Sequence, residues 1–123
     1  MTTPFGPYKI PSMNNVTTQT DAQTFDFGDG PVPAHRHPNG GGWVADSAFV
    51  GGTVYVGPNA QIYGRALVCD NVQVCHTARV YDSARVYQTA KVYDDARVCG
   101  EAHVYGDVRV AGDAVIDGNA RVF

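Results

Sequence analysis

The chain has too little net charge to tie it to a nucleic acid or a charged lipid surface: 9 Lys and Arg against 12 Asp and Glu leave −3 over 123 residues. No apolar run approaches the length of a membrane-spanning helix, and the N-terminus lacks the basic-then-apolar order of a signal peptide. The expectation is a protein with no nucleic-acid or membrane partner and no signal peptide, not secreted by the usual route but assembled in the host cytoplasm. Proline is almost missing from the later part of the chain. Six of the 7 prolines, Pro4, Pro7, Pro11, Pro31, Pro33 and Pro38, precede residue 45. Proline lacks a ladder donor, so residues 1–45 are expected to form an extended arm and cap with little regular structure. Within it, Phe25-Asp26-Phe27 followed by Gly28-Asp29-Gly30 reads as one short strand ending in a turn.

What the remainder does contain is a period. From Ala48 every sixth residue is Ala or Val (Ala48, Val54, Ala60, Ala66 and onward to Ala120), and two places after each stands Val or Ile (Val50, Val56, Ile62, Val68 and onward to Val122). On an extended chain residues two apart share a side, whereas a helix would set them about 200° apart, so the pattern selects strands and rejects helix. The two residues left between strands carry turn chemistry, as in Pro58-Asn59, Asp70-Asn71, Asp82-Ser83 and Gly106-Asp107. A fixed short period of strand then corner, unbroken over residues 46–123, is the mark of a β-solenoid.

The aliphatic residue followed four places later by a small one, as in Val80 with Ala84 and Val86 with Ala90, resembles the hexapeptide repeat of left-handed parallel β-helices. The resemblance implies an all-β triangular solenoid with three hexads per coil and about four coils. At about 4.8 Å per coil the column would stand roughly 20 Å tall. Val stacks on Val inside it, and no coil buries its own inner face without a neighbour.

Steps of eighteen residues then assign outward side chains to three faces. The first carries Phe49, Leu67, Arg85, His103 and Arg121 beside Gly51, Cys69, Tyr87, Tyr105 and Phe123. The second carries Tyr55, Gln73, Lys91 and Arg109 beside Gly57, Cys75, Tyr93 and Ala111. The third carries Gln61, Arg79, Arg97 and Val115 beside Tyr63, Tyr81, Cys99 and Asp117. Cations sit on the flats and most acids at the corners. No two of Cys69, Cys75 and Cys99 are eighteen residues apart, so free outward thiols are expected.

The strip of Phe49, Leu67, Cys69, Tyr87, Tyr105 and Phe123 is the most apolar, and apolar strips on small proteins mark interfaces. Hexapeptide helices commonly pack as trimers, so the resemblance implies a homotrimer on this face. His103 then lies near the threefold axis, making assembly sensitive to pH between 5 and 8. Phe5, Tyr8, Ile10, Phe25 and Phe27 make the arm too apolar for a linker and are expected to dock on the column or on another subunit. Trp43 is expected to fold over the first coil as a lid. The edge after Phe123 is expected to be covered by another protein or a neighbour's arm. His35 and His37 are the weak candidates for a metal site, which lacks a third ligand nearby; no cofactor is expected.

Three functions compete at this level. The segment from His35 to Ala48 followed by regular hexads looks like short hexapeptide-repeat proteins of tailed bacteriophages. That resemblance implies a non-catalytic structural protein of the virion, a cement, capsid-decoration or fibre component bound to a major capsid or tail protein. A carbohydrate-binding adhesin would use Tyr87 over Tyr105, or Tyr63 over Tyr81, beside Arg. An acyltransferase, the common activity of hexapeptide helices, would need a His base; His76 with Asp94 one coil on is the pairing to examine, since His103 faces Arg85.

Overall fold

A computed structural model describes residues 23–123, and every regular element among them is a strand. Three strands come first: β1 (Thr24–Asp26), β2 (Pro31–Arg36) and β3 (Trp43–Ala45). One two-residue strand per hexad follows. β4 (Phe49–Val50), β7 (Leu67–Val68), β10 (Arg85–Val86), β13 (His103–Val104) and β16 (Arg121–Val122) form the first face. β5 (Tyr55–Val56), β8 (Gln73–Val74), β11 (Lys91–Val92) and β14 (Arg109–Val110) form the second. β6 (Gln61–Ile62), β9 (Arg79–Val80), β12 (Arg97–Val98) and β15 (Val115–Ile116) form the third, which β3, β2 and β1 extend. Within the column every pairing is parallel and steps by eighteen residues, as in Leu67 beside Arg85 and Val80 beside Val98. The molecule is thus a three-sided parallel β-solenoid of about four coils.

The interior follows from the period. Val54, Val56, Ile62, Val68, Val74, Val80, Val86 and Val92 are fully buried, with Ala66, Ala78, Ala84 and Ala90 filling the narrower space beside them. Each Val removed from water in this stack contributes about 1.5–3 kcal/mol.

The corners are built by a second rule. Asp70, His76, Asp82, Gln88 and Asp94 all adopt φ between 57° and 64°, where glycine stands at 64, 100, 106, 112 and 118. A non-glycine residue there costs roughly 1–2 kcal/mol. Each of these side chains returns something: it accepts the backbone N–H of the corner residue one coil later. Asp70 accepts from Gln88 (2.9 Å), Asp82 from Gly100 (3.0 Å), Gln88 from Gly106 (2.8 Å) and Asp94 from Gly112 (3.1 Å). Corner hydroxyls donate in the other direction, Thr53 to the Asp70 carbonyl and Ser47 to that of Gly64.

The proline-rich segment departs from expectation. Residues 24–45 form an antiparallel meander, β1 against β2 and β2 against β3, that continues the third face. The turn after β1 is closed by Asp26, whose Oδ1 accepts from Gly28 (2.7 Å) and Gly30 (3.1 Å). Pro31 and Pro33 fit in β2 because of where their missing donors face. Even residues turn toward β1, as Ala34 N–H donating to the Gln23 carbonyl shows, and odd residues turn toward β3, as His37 N–H to Gly42 shows. β3 ends at Ala45, so nothing opposite needs a proline N–H, while the Pro33 carbonyl still accepts from Asp46 (2.9 Å). The stack also begins one unit early: Val44 is fully buried beside Ile62, and Gly42 takes the small-residue place six before Ala48.

Candidate functional site

The end of the column above β5 is closed by polar groups of residues 37–42. The Val56 N–H donates to the Asn39 carbonyl, and the Gly42 N–H to the Val56 carbonyl, both at 3.0 Å. The Val54 carbonyl accepts from His37 Nε2 (2.8 Å) and Asn39 Nδ2 (3.1 Å). His37 is buried at 3% exposure. The glycines let the loop lie this close: a Cβ on Gly40, whose φ is +115°, would fall 2.1 Å from the Val56 oxygen. An exposed parallel edge invites pairing with other chains, and this loop satisfies it. Trp43 is therefore not the lid. It belongs to β3, where its neighbour Val44 takes the inward position, so the indole faces outward, stacked on Phe25 (4.8 Å) with the Arg36 guanidinium 4.6 Å from the ring centre.

Phe25 and Phe27 lie on the column, whereas Phe5, Tyr8 and Ile10 fall outside the described residues. Phe27 stacks on Tyr63 (4.7 Å), and Tyr63 on Tyr81 (4.9 Å, 3° between planes). Ala45 stands above Tyr63 in this column, and its small, buried side chain leaves room for the ring that the hairpin supplies. Tyr87, Tyr105 and Phe123 form a second ladder at 5.0 and 5.1 Å on the first face. In both ladders the rings cover one another's faces. The stacking planes expected for a sugar are largely occupied, and solvent meets edges and hydroxyls. Burial pushes the Tyr63 phenol above its ordinary value, partly offset by Arg79; a hydrogen bond with Cys99, then burial, raises Tyr81.

The thiols are free, as spacing indicates, but less outward than expected: Cys69 and Cys75 are half-buried and Cys99, one coil from Tyr81, is buried. Burial raises the Cys69 and Cys75 thiols, which makes them poorer nucleophiles. The first-face strip is assembled in register, with Phe49 beside Leu67 at 59% and 37% exposure. The upper edge of β4 pairs with no strand among the described residues.

The histidines divide. His35 Nδ1 meets Asp46 Oδ1 at 2.7 Å, in the open, and His37 is spent on Val54, so the two do not converge; among the described residues no three His, Cys, Asp or Glu cluster as metal ligands. His76 Nδ1 does lie 3.2 Å from Asp94 Oδ1, the pairing that the eighteen-residue step indicates. The same nitrogen accepts the Asp94 backbone N–H at 3.2 Å, and the other carboxylate oxygen accepts from Gly112. His76 thus occupies the corner row that stitches coils, with its only free nitrogen facing solvent. Sequence reasoning missed this stitching, whose signal is an acceptor side chain at each non-glycine αL corner.

Residues 60–76 match a family model described as a YdcK beta solenoid repeat, in keeping with a β-helix repeat protein. No curated protein and no solved structure matches the chain.

Proposed function

We propose that the chain is a non-catalytic structural protein that associates through its first face into a homotrimer and serves as a cement, decoration or fibre component of a phage particle, bound to a capsid or tail protein. The observation that carries this reading is the in-register exposure of Phe49 and Leu67, continuous with Cys69 and the Tyr87 ladder, on a column whose corner polar groups are engaged in holding coils together. Association about a closed axis would hide that strip. Sedimentation equilibrium of the full chain is expected to give three times 13.2 kDa, and Leu67→Glu to give the monomer mass. A wild-type monomer at micromolar concentration would overturn the trimer. Labelled antibody against the chain is expected to decorate purified particles, and particles without label would overturn the location.

A second reading, carbohydrate binding, is favoured by Arg79 and Arg97, which stand one above the other on the third face with no carboxylate of the described residues within ion-pair distance. Glycan-array binding by the free protein tests it. Acyl transfer has weaker support, because the His76–Asp94 pair sits open on a corner; turnover of acyl-coenzyme A would revive it.

A further inference from the structure

The acids and cations of the column alternate in position but do not neutralise one another. Four corner carboxylates are committed to the backbone or to hydroxyls: Asp82 and Asp94 accept glycine N–H groups, and Asp95 and Asp107 accept from Thr77 and Thr89. Among the described residues the ion pairs within 4.0 Å all involve histidine. Every flat-face Arg or Lys is therefore left without a carboxylate of the described residues within 4.0 Å. Arg79 and Arg97 are the clearest case. They are register partners on β9 and β12, and parallel neighbours lie about 4.8 Å apart. Like charges directly opposite destabilise a sheet unless an anion comes between them.

The surroundings say which anion. Thr77, Arg79, Asp95, Arg97, Asp113 and Val115 line one groove along this corner, the eighteen-residue step stacking Thr77, Asp95 and Asp113 in one column and Arg79, Arg97 and Val115 in the next. Asp113 has no hydrogen-bond partner among the described side chains. A ligand that satisfies both columns brings an anionic group for the arginines and hydroxyl donors for Asp113. A sugar acid has both. A phosphodiester backbone has the charge but few donors for Asp113.

We propose that this groove binds a carboxylate-bearing polysaccharide laid along the column axis, its carboxylates held by Arg79 and Arg97 through charge-assisted hydrogen bonds and its hydroxyls donating to Asp113. The proposal deepens the carbohydrate-binding reading and stands or falls apart from the trimer.

The test is calorimetric titration of the full chain with oligogalacturonate, with a neutral malto-oligosaccharide and with a single-stranded oligodeoxynucleotide of matched charge. Oligogalacturonate is expected to bind and to weaken with added salt. Arg79→Gln with Arg97→Gln is expected to cost roughly tenfold or more in affinity, and Asp113→Asn a smaller factor. If the double glutamine variant loses its circular dichroism spectrum, Arg79→Lys with Arg97→Lys takes its place and is expected to bind with intermediate affinity, keeping the charge but not the forked donors. Unchanged affinity in a folded variant overturns the site. Equal binding of the neutral sugar overturns the acidic ligand but leaves carbohydrate binding; binding of neither sugar overturns both. Binding of the oligonucleotide as tightly as oligogalacturonate reduces the groove to a general polyanion surface and overturns the proposal.

Discussion

In the column a coil is held by what it repeats from the coils beside it; in the hairpin of residues 24–45 each contact occurs once. Column interior positions repeat two kinds of site, one holding Ala or Val and one holding Val or Ile, and each outward backbone N–H donates to a carbonyl seventeen residues on, as Arg79 to Ala96 and Tyr81 to Val98 do. The hairpin depends on individual residues: Asp26 for the turn, Phe25 on Trp43, Phe27 on Tyr63, and the loop from His37 to Gly42 on the edge of β5. Redundancy spreads the column's stability over many equivalent contacts and leaves its flats available for contact. Single contacts make the hairpin a fitted cover that a few substitutions can detach.

The largest expected effect tests that division. Val86→Asp puts a carboxylate among fully buried aliphatics, and should destabilise the column by more than about 4 kcal/mol, abolishing the cooperative melt. The same change at exposed Val32 of β2 should cost under about 1 kcal/mol; equal losses would erase the contrast. Next comes Gly40→Ala, which combines a φ of +115° with a Cβ driven into the Val56 oxygen. About 2–3 kcal/mol of loss is expected, with faster hydrogen exchange at Val56 while Val92 stays protected.

A smaller effect separates strain from bonding at the corners. Asp82→Ala keeps the αL strain and loses the bond from Gly100, for about 1–2 kcal/mol of destabilisation, whereas Asp82→Gly loses the bond but relieves the strain and should be near neutral. Equal costs would mean that the stitching bond alone matters. The smallest effect is alkaline. The Cys69, Cys75, Tyr63 and Tyr81 groups all lie above their ordinary values of 9.0 and 10.0. Each holds its proton longer folded than unfolded, so its stabilisation is full below those values and falls as pH rises through them. Melts from neutral pH into that range should show a decline carried by the column, where all four groups lie.

Most of the column was legible because its period is geometric: Val80, Val86 and Val92 repeat every six residues, and eighteen-residue steps put Arg79 beside Arg97 and His76 near Asp94 before any coordinates. The hairpin was not. Pro31 and Pro33 argue against a strand unless one knows that β3 has ended opposite them, and Gly42 hides a further repeat because it carries no side chain to count. Trp43 reads as a lid by bulk, yet the edge it was expected to cover is closed by His37, Asn39 and Gly42, whose role rests on hydrogen bonds that no local pattern encodes. The candidate site was half legible. The stacked arginines followed from the step, while their lack of acidic partners depended on where the corner carboxylates turn.

One coil of eighteen residues sets the pairing of everything stacked upon it, and through-hydrogen-bond scalar couplings in solution read that pairing directly. Amides of Arg79, Tyr81, Arg85 and Tyr87 are expected to couple to the carbonyl carbons of Ala96, Val98, Ala102 and Val104, and the His37 amide to that of Gly42. Couplings at a different separation, or none in the repeat region, would contradict the column and the faces built on it.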